Sequence, residues 1–227
     1  MSIQDELIIE QIEIGPMANF CYIVGSRETR EVALVDPAWD IDSLLDRIDH
    51  SDYQLVAALA THYHPDHVGG GMKGSNIAGV AELVGKRPVK VYANKHESDG
   101  VKRVTELSDS DIVSVESGDF LDVGPVRIEF LHTPGHTPGS QCFRIRNTVV
   151  SGDTLFIDGC GRVDLPGSNK EDMFHSLQKL KSLPSDTLVL PGHNYSAVPN
   201  ATIAEVRSYN SYLSIRDLET WHHIMGH

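Results

Sequence analysis

The 227-residue chain is 40% hydrophobic and 22% charged, a composition that supports a sizeable buried core and indicates a globular rather than a disordered protein. Its 32 acidic residues outnumber 19 basic ones, and the formal net charge of −13 disfavours nonspecific binding to nucleic acid. Residues 1–14 have neither the basic start nor the apolar core of a signal peptide, and no later stretch is long and apolar enough to span a membrane. We therefore expect a cytoplasmic protein without nucleic-acid or membrane partners, and the sequence leaves homo-oligomer formation open.

The secondary-structure pattern alternates strands with fewer helices. In the first half, strands are predicted at residues 6–14, 19–25, 31–37, 55–62 and 89–94, and helices at 41–48 and 77–85. In the second half, strands are predicted at residues 112–117, 126–133, 141–146, 148–153 and 187–193, and helices at 170–183, 201–209 and 213–227. Two β-rich halves flanked by helices predict stacked sheets in a layered α/β arrangement, with residues 1–227 forming one domain.

Four predicted strands end in side chains that can bind a metal ion. They are His62, His64, Asp66 and His67 after residues 55–60, His132 and His136 after 126–131, Asp153 after 148–152, and His193 after 187–192. Strand ends that share one edge of a sheet sandwich can direct such groups into one cleft. Imidazole and carboxylate donors suit Zn²⁺ or Fe²⁺, so the sequence predicts a metal site.

Other candidate residues have simpler explanations. The three cysteines Cys21, Cys142 and Cys160 form no CxxC pair, so we expect reduced, structural thiols rather than disulfides or a thiolate zinc site. The remaining histidines, and His132 among those at strand ends, are interpreted as surface or hydrogen-bonded residues. Asp36, which follows a predicted strand and precedes a proline, is either a functional acid or a turn former.

Four ordered motifs carry a family resemblance. They are THYHPDH at 61–67, HTPGHTPGS at 132–140, SGDTLF at 151–156 and PGHNY at 191–195. In order and spacing they resemble the metallo-β-lactamase superfamily, and within it the glyoxalase II-like branch. The resemblance implies an αββα sandwich, with two mixed β-sheets flanked by helices and a metal cleft at one edge.

The resemblance also implies how the ligands divide between two metal ions, which we take to be Zn²⁺. His62, His64 and His136 would bind the first ion, Asp66, His67 and His193 the second, and Asp153 would bridge them. Asp66 and Asp153 are the expected catalytic carboxylates. Two cations about 4 Å apart can share a water molecule with a pKa near 7, which makes a hydroxide available at neutral pH. The expected activity is hydrolysis of a thioester, and no protein nucleophile is required.

The substrate class depends on the segment GCGRVD at 159–164. The comparable segment of glyoxalase II enzymes offers a lysine and then an aromatic residue to glutathione, whereas this chain has Arg162 and Asp164. Arg162 can still bind a carboxylate through two hydrogen bonds, and Tyr195 matches the tyrosine of glutathione-binding relatives. We therefore expect a small-molecule thioester of glutathione or a similar thiol.

Three alternative functions stay open on the sequence. GCGRVD also resembles the persulfide dioxygenases, which use one iron ion. The ligands of that iron would map to His62, His136 and Asp153. The metal content is therefore open as well, with one Fe²⁺ or a mixed Fe/Zn pair as alternatives to two Zn²⁺. A true β-lactamase fits less well, because the common forms have a different set of ligands at the second metal. A non-catalytic binding protein would be favoured by the loss of a ligand, but all seven are present.

Overall fold

The computed structural model describes residues 6–72 and 74–226, and within them the chain forms fourteen strands and eight helices. The strands are β1 (Leu7–Ile14), β2 (Asn19–Ser26), β3 (Glu31–Val35), β4 (Gln54–Leu59), β5 (Gly70–Met72), β6 (Ser75–Ile77), β7 (Lys90–Asn94), β8 (Ile112–Val115), β9 (Phe120–Val123), β10 (Val126–His132), β11 (Gln141–Ile145), β12 (Thr148–Gly152), β13 (Leu188–Pro191) and β14 (Ala201–Thr202). The helices are α1 (Ile41–His50), α2 (Pro65–Val68), α3 (Val80–Lys86), α4 (Ser98–Thr105), α5 (Lys170–Lys181), α6 (Ile203–Tyr209), α7 (Ser211–Ser214) and α8 (Leu218–Met225).

Two six-stranded mixed sheets form the centre of the fold. The first has the order β1-β2-β3-β4-β7-β8, antiparallel between β1, β2 and β3 and parallel from β3 to β8. The second has the order β14-β13-β12-β11-β10-β9, with β12 and β13 parallel and the other neighbours antiparallel. Strands β5 and β6 form a separate hairpin.

Apolar side chains bury both faces of each sheet. Phe20, Tyr22 and Leu59 of the first sheet pack against side chains of the second sheet such as Phe130 and Phe143, and these residues form the core between the sheets. The outer face of the first sheet packs against α1, α3 and α4, and the outer face of the second packs against α5, α6 and α8. The layers are therefore helix, sheet, sheet and helix, which confirms the predicted αββα sandwich.

One edge of the sandwich brings together loops that are far apart in sequence. Gly152 pairs with Pro191 in the parallel register of β12 and β13, so these two strands end side by side. Across the two sheets, the Gln141 amide donates to the carbonyl of Thr61 at 2.9 Å, and Asn19 forms a β-bridge with His193. The predicted metal-binding residues lie at this edge. Among the described helices, none is long and apolar enough to cross a membrane.

Candidate metal centre

The loop after β4 presents four of the predicted ligands within one short turn. Pro65 occupies the first turn of α2, where its missing N–H costs no helical hydrogen bond, and His64 precedes it in an extended conformation. Asp66 and His67 lie within this turn and are buried, as is His62 before it. The proline-led turn therefore directs imidazole and carboxylate groups inward.

The predicted ligands form two adjacent groups. We call His62, His64 and His136 the first ligand group, and Asp66, His67 and His193 the second. Within each group, one donor atom per residue lies within 4.8 Å of the others. In the first group, His64 Nδ1 is 2.9 Å from His136 Nε2; in the second, the Nε2 atoms of His67 and His193 are 3.1 Å apart.

Asp153 lies between the two groups. Its Oδ1 is 3.4 Å from His67 Nε2, and its Oδ2 is 3.4 Å from His193 Nε2 and 3.6 Å from His136 Nε2. A Cβ atom at Gly192 would lie 2.4 Å from Asp153 Oδ1, so a glycine is required there for the carboxylate to take this place. Asp153 can therefore contact a cation in either group.

The hydrogen bonds of the histidine rings show which nitrogens are available to a metal. The Nδ1 atoms of His67, His136 and His193 donate to Asp36 Oδ2 and to the carbonyls of Arg162 and Met17, at 2.9, 2.8 and 3.0 Å. Because these acceptors carry no proton, each ring in its neutral form has a lone pair on Nε2. Two such lone pairs face each other across 3.1 Å between His67 and His193. That arrangement is repulsive without a cation between them and fits a metal ion.

His62 gives a second indication of the same kind. Its Nδ1 is 2.9 Å from Thr61 Oγ1, and that hydroxyl donates to Asp36 Oδ2 at 2.6 Å, so the ring donates to the hydroxyl. The Nε2 of His62 is buried and has no hydrogen-bond partner in residues 6–72 and 74–226, and the same is true of Asp153 Oδ1. Buried polar atoms are normally hydrogen-bonded, so two unpartnered acceptors here fit a cation site.

Asp36, which the sequence left open, is buried behind the histidines. Its Oδ1 accepts the Thr61 amide at 2.7 Å, while its Oδ2 accepts the Thr61 hydroxyl at 2.6 Å and His67 Nδ1 at 2.9 Å. It thus orients His67 directly and His62 through Thr61. Such partners of ligand histidines fix the ring orientation and raise its basicity.

The electrostatic environment differs between the two groups. Burial, together with the neighbouring His67, holds the pKa of His62 well below 6.5, and burial and His136 lower the pKa of His64 to about 4. Burial also acts to lower the pKa of His67, but the carboxylates of Asp153 and Asp66 outweigh it and raise that pKa well above 6.5. Without metal, the second group therefore holds a proton at neutral pH.

The two carboxylates of the centre stay ionised. Burial acts to raise their pKa values, but the charges of the neighbouring histidines, His67 first among them, and the hydrogen bonds to the carboxylates together outweigh it. The pKa of Asp66 falls well below 3.8, and the pKa of Asp153 falls to about 2. Both are therefore anionic donors at any pH near neutrality.

Asn19 and Trp39 hold Asp66 in place, and sequence reasoning did not find them. The Asn19 side chain donates to Asp66 Oδ2 at 3.0 Å and accepts from Trp39 Nε1 at 3.0 Å, which fixes the orientation of the amide. Trp39 Nε1 also lies 3.1 Å from the Asp66 carbonyl. Asn19 begins β2 about 47 residues before Asp66, and nothing local in the sequence indicates this contact.

A cavity of about 420 Å³ opens onto the centre. His64, Asp66, His136, Asp153 and His193 reach its surface, and its other walls include Met17, Phe156, Cys160, Leu165 and Tyr195. The Tyr195 ring stacks on the His193 ring, with centroids 4.5 Å apart and planes at 12°. A larger cavity, of about 570 Å³, lies beside the β5–β6 hairpin and is lined by none of the seven predicted ligands.

Arg162 reaches this cleft but is already paired. Its Nε and Nη2 donate to the two carboxylate oxygens of Asp164 at 2.9 and 2.8 Å. To bind a substrate carboxylate, as the sequence predicted, Arg162 would have to give up these two hydrogen bonds with Asp164. Tyr195, the other predicted substrate residue, is 55% exposed; besides its stack on His193, its ring makes a T-shaped contact with Phe156, with centroids 5.5 Å apart.

The remaining candidates take structural positions. His132 Nε2 is 2.9 Å from the Pro138 carbonyl, so this ring braces the loop that carries His136 and is not in either ligand group. Burial raises the pKa of the Cys160 thiol to about 12, which keeps it protonated and unreactive. His227 lies outside the described residues.

Comparison with known proteins places this centre in a family. The family model described as the metallo-beta-lactamase superfamily matches residues 14–193. The chain belongs to the metallo-β-lactamase superfamily. This confirms the family that the four motifs indicated.

Two relatives indicate the range of chemistry in this family. The probable polyketide biosynthesis zinc-dependent hydrolase of Bacillus velezensis is 32% identical over 203 residues, which cover 89% of this chain and 84% of that protein. The human mitochondrial persulfide dioxygenase is 30% identical over 227 residues, which cover 97% of this chain and 81% of that protein. The crystal structure of ETHE1 from Myxococcus xanthus superposes with a TM-score of 0.82 at 28% identity, covering 96% of this chain and 89% of that one. The chain is thus a metal-dependent enzyme of this superfamily.

Proposed function

We propose that this protein is a hydrolase that cleaves a thioester of a small thiol and uses two divalent cations. The observation that carries the proposal is the position of Asp153 between two complete ligand groups, within 3.4 Å of His67 and of His193 and 3.6 Å of His136. A site for a single cation needs only one of these groups. The second group is buried and fully assembled, which favours a two-metal enzyme.

The residues present fit either Zn²⁺ or Fe²⁺. The first ligand group offers three imidazole nitrogens, the second offers two imidazoles and one carboxylate, and Asp153 serves both. When bound, the two cations supply a hydroxide nucleophile at neutral pH and polarise the substrate carbonyl. We favour two zinc ions over a mixed Fe/Zn pair.

Asp66 and Asp153 are the proposed catalytic carboxylates. Both reach the cavity surface, and the neighbouring histidines, His67 first among them, keep the pKa values of both lowered. An ionised carboxylate there accepts a hydrogen bond from a water molecule and orients it toward a bound substrate. Asn19 holds Asp66 Oδ2, so the orientation of this carboxylate is set before substrate binds.

The cleft walls favour a substrate with an apolar acyl or thiol portion. Phe156, Leu165 and Tyr195 present apolar surface next to the ligand groups, and the size of the cavity suits a small molecule. Among the described residues that line this cavity, Arg162 is the arginine, and Asp164 already binds its guanidinium, so the carboxylates of glutathione would have to compete with Asp164 for it. We therefore extend the proposed substrates to thioesters of neutral thiols, with glutathione thioesters as one member.

A second candidate is an iron-dependent persulfide dioxygenase. His62, His136 and Asp153 would form its two-histidine, one-carboxylate site, and Asp153 Oδ2 lies 3.6 Å from His136 Nε2. The similarity to the human persulfide dioxygenase over 97% of this chain favours this candidate. It leaves the second ligand group without a role, and we rank it behind hydrolysis for that reason.

The proposal is tested by thiol release from a panel of thioesters. Protein stripped of metal with a chelator and then loaded with Zn²⁺ should cleave acyl thioesters of glutathione or N-acetylcysteamine, with thiol detected by a disulfide reagent. The stripped protein should be inactive. A loaded protein that cleaves no thioester in the panel would contradict the proposed function.

A further inference from the structure

A buried glutamate links the two loops that carry the first ligand group. Glu97 is fully buried and immediately precedes α4. Its Oε1 accepts the Tyr63 amide at 2.7 Å and the Thr137 hydroxyl at 2.7 Å, and its Oε2 accepts the Gly139 amide at 2.8 Å. Tyr63 stands between His62 and His64, and Thr137 directly follows His136.

We propose that Glu97 is a positioning residue that holds these two loops together, so that His62 and His64 meet His136 at metal-binding distance. The role rests on the proposed binding of a metal by the first ligand group. Among the described residues, Glu97 belongs to none of the groups of side chains that could hold a metal ion. It acts on the backbone beside each ligand.

Close packing around Glu97 supports this role. A Cβ atom on Gly139 would lie 2.5 Å from Glu97 Oε2 and 2.5 Å from its amide nitrogen, so only glycine allows the loop to approach the carboxylate. A Cβ atom on Gly100 would lie 2.7 Å from the Tyr63 ring. The start of α4 is therefore shaped to receive both loops, with one glycine on each side of the contact.

A carboxylate is required for this arrangement. Burial raises the pKa of Glu97 to about 7 against the opposing effect of its hydrogen bonds with Thr137, Tyr63 and Gly139. A buried acid is costly, and a position that only filled space would be served better by an apolar residue. Both carboxylate oxygens accept an N–H here, whereas a glutamine has one acceptor oxygen and one donor amide. Glu97→Gln therefore keeps the shape but turns one link into a contact between two donors.

The test measures metal binding at one ligand group at a time. His193→Ala removes a ligand of the second group and leaves the first intact; His64→Ala does the reverse. Zn²⁺ affinity is measured by competition with a chromophoric chelator, and the visible spectrum of Co²⁺ reports ligand geometry. In the His193→Ala background, Glu97→Gln should weaken Zn²⁺ binding by about tenfold or more and change the Co²⁺ spectrum. In the His64→Ala background, its effect should stay below about threefold.

Two further variants separate positioning from general stability. Val101 is buried in α4 and does not contact either loop through a hydrogen bond, so Val101→Ala destabilises the helix packing and should leave Zn²⁺ affinity unchanged. If Glu97→Gln does not fold, Thr137→Val removes one donor to the carboxylate and should produce a smaller loss of the same kind.

Several results would overturn the role of Glu97. The role would be overturned if Glu97→Gln in the His193→Ala background bound Zn²⁺ as tightly as the His193→Ala protein alone. It would also be overturned if Val101→Ala lost as much Zn²⁺ affinity as Glu97→Gln. A wild-type protein that binds no metal at all would overturn both this role and the proposed function. Metal binding that is retained but insensitive to Glu97 would overturn the role of Glu97 alone.

Discussion

The Nε2 atoms of His67 and His193 lie 3.1 Å apart, while the Nδ1 atom of each ring donates to an oxygen on its other side. Only a positive charge can occupy the space between two such acceptors. In the metal-free protein that charge is a proton on His67, since Asp153 and Asp66 raise its pKa well above 6.5 despite its burial. In the metal-loaded protein that we propose, it would be a metal ion held by the second ligand group.

This relationship predicts that the two ligand groups lose metal at different pH. Binding at the second group must displace the proton of His67, so its affinity falls as the pH drops below the raised pKa. Burial and neighbouring histidines lower the pKa of His62 and lower the pKa of His64 to about 4. These two ligands are therefore already unprotonated near pH 6 and release no proton when a metal binds.

The difference can be measured by calorimetric titration of Zn²⁺ in buffers of different ionisation enthalpy. His64→Ala, which retains the second group, should release about one proton per metal at pH 7 from His67. His193→Ala, which retains the first group, should release fewer. Equal proton release from the two variants would count against the assigned protonation states.

The two histidines of HTPGH are predicted to differ in effect. His136→Ala removes a ligand of the first group and should lower activity by about a hundredfold or more, with loss of one metal. His132→Ala removes only the brace to the Pro138 carbonyl and should cost less than about tenfold. Metal content and turnover of the two variants check this, and an equal loss would mean that the ligand was assigned to the wrong histidine.

Asp36→Asn tests the support behind the histidines. An asparagine of the same size has one acceptor oxygen and cannot accept from Thr61 and His67 on two oxygens at once. We expect metal affinity to fall about 10- to 100-fold with little change in fold, as judged by circular dichroism. Asp40→Asn is the matched control, because Asp40 caps α1 at an exposed position and asparagine caps a helix equally well. A similar loss in both variants would remove the specific role of Asp36.

The pair of Arg162 and Asp164 is predicted to select against anionic thiols. Asp164→Asn frees the guanidinium, so the KM for a glutathione thioester should fall about twofold to fivefold, while the KM for an N-acetylcysteamine thioester stays constant. Asp158→Asn removes another acidic residue of the cleft without touching Arg162 and serves as the control. If both variants lower KM equally, the effect comes from net charge and not from Arg162.

The sequence predicted those features of the fold and the site that local residue patterns encode. His62, His64, Asp66 and His67 stand within six residues at the end of β4, and alternation of short strands with helices was sufficient to predict the layered fold. Asp36 could be read in two ways, because its partners Thr61 and His67 lie 25 and 31 residues away.

Other features depend on tertiary contacts that no local pattern encodes. Helix α4 was not predicted, because its first turn of Ser98, Asp99 and Gly100 has low helix propensity. The proposed role of Glu97 likewise depends on hydrogen-bond partners that lie 34 to 42 residues away in the sequence. Residues 70–72 and 75–77 pair as a hairpin in a glycine-rich stretch for which no strand was predicted.

The measurement that tests the central proposal most directly compares thiol release with oxygen consumption. Metal-loaded protein is given an acyl thioester and, separately, glutathione persulfide, and the thiol formed and the O₂ consumed are counted per substrate molecule. The proposed hydrolase should release one thiol per thioester and take up no O₂ with the persulfide. Stoichiometric O₂ uptake with the persulfide, without thioester cleavage, would contradict it and identify the dioxygenase instead.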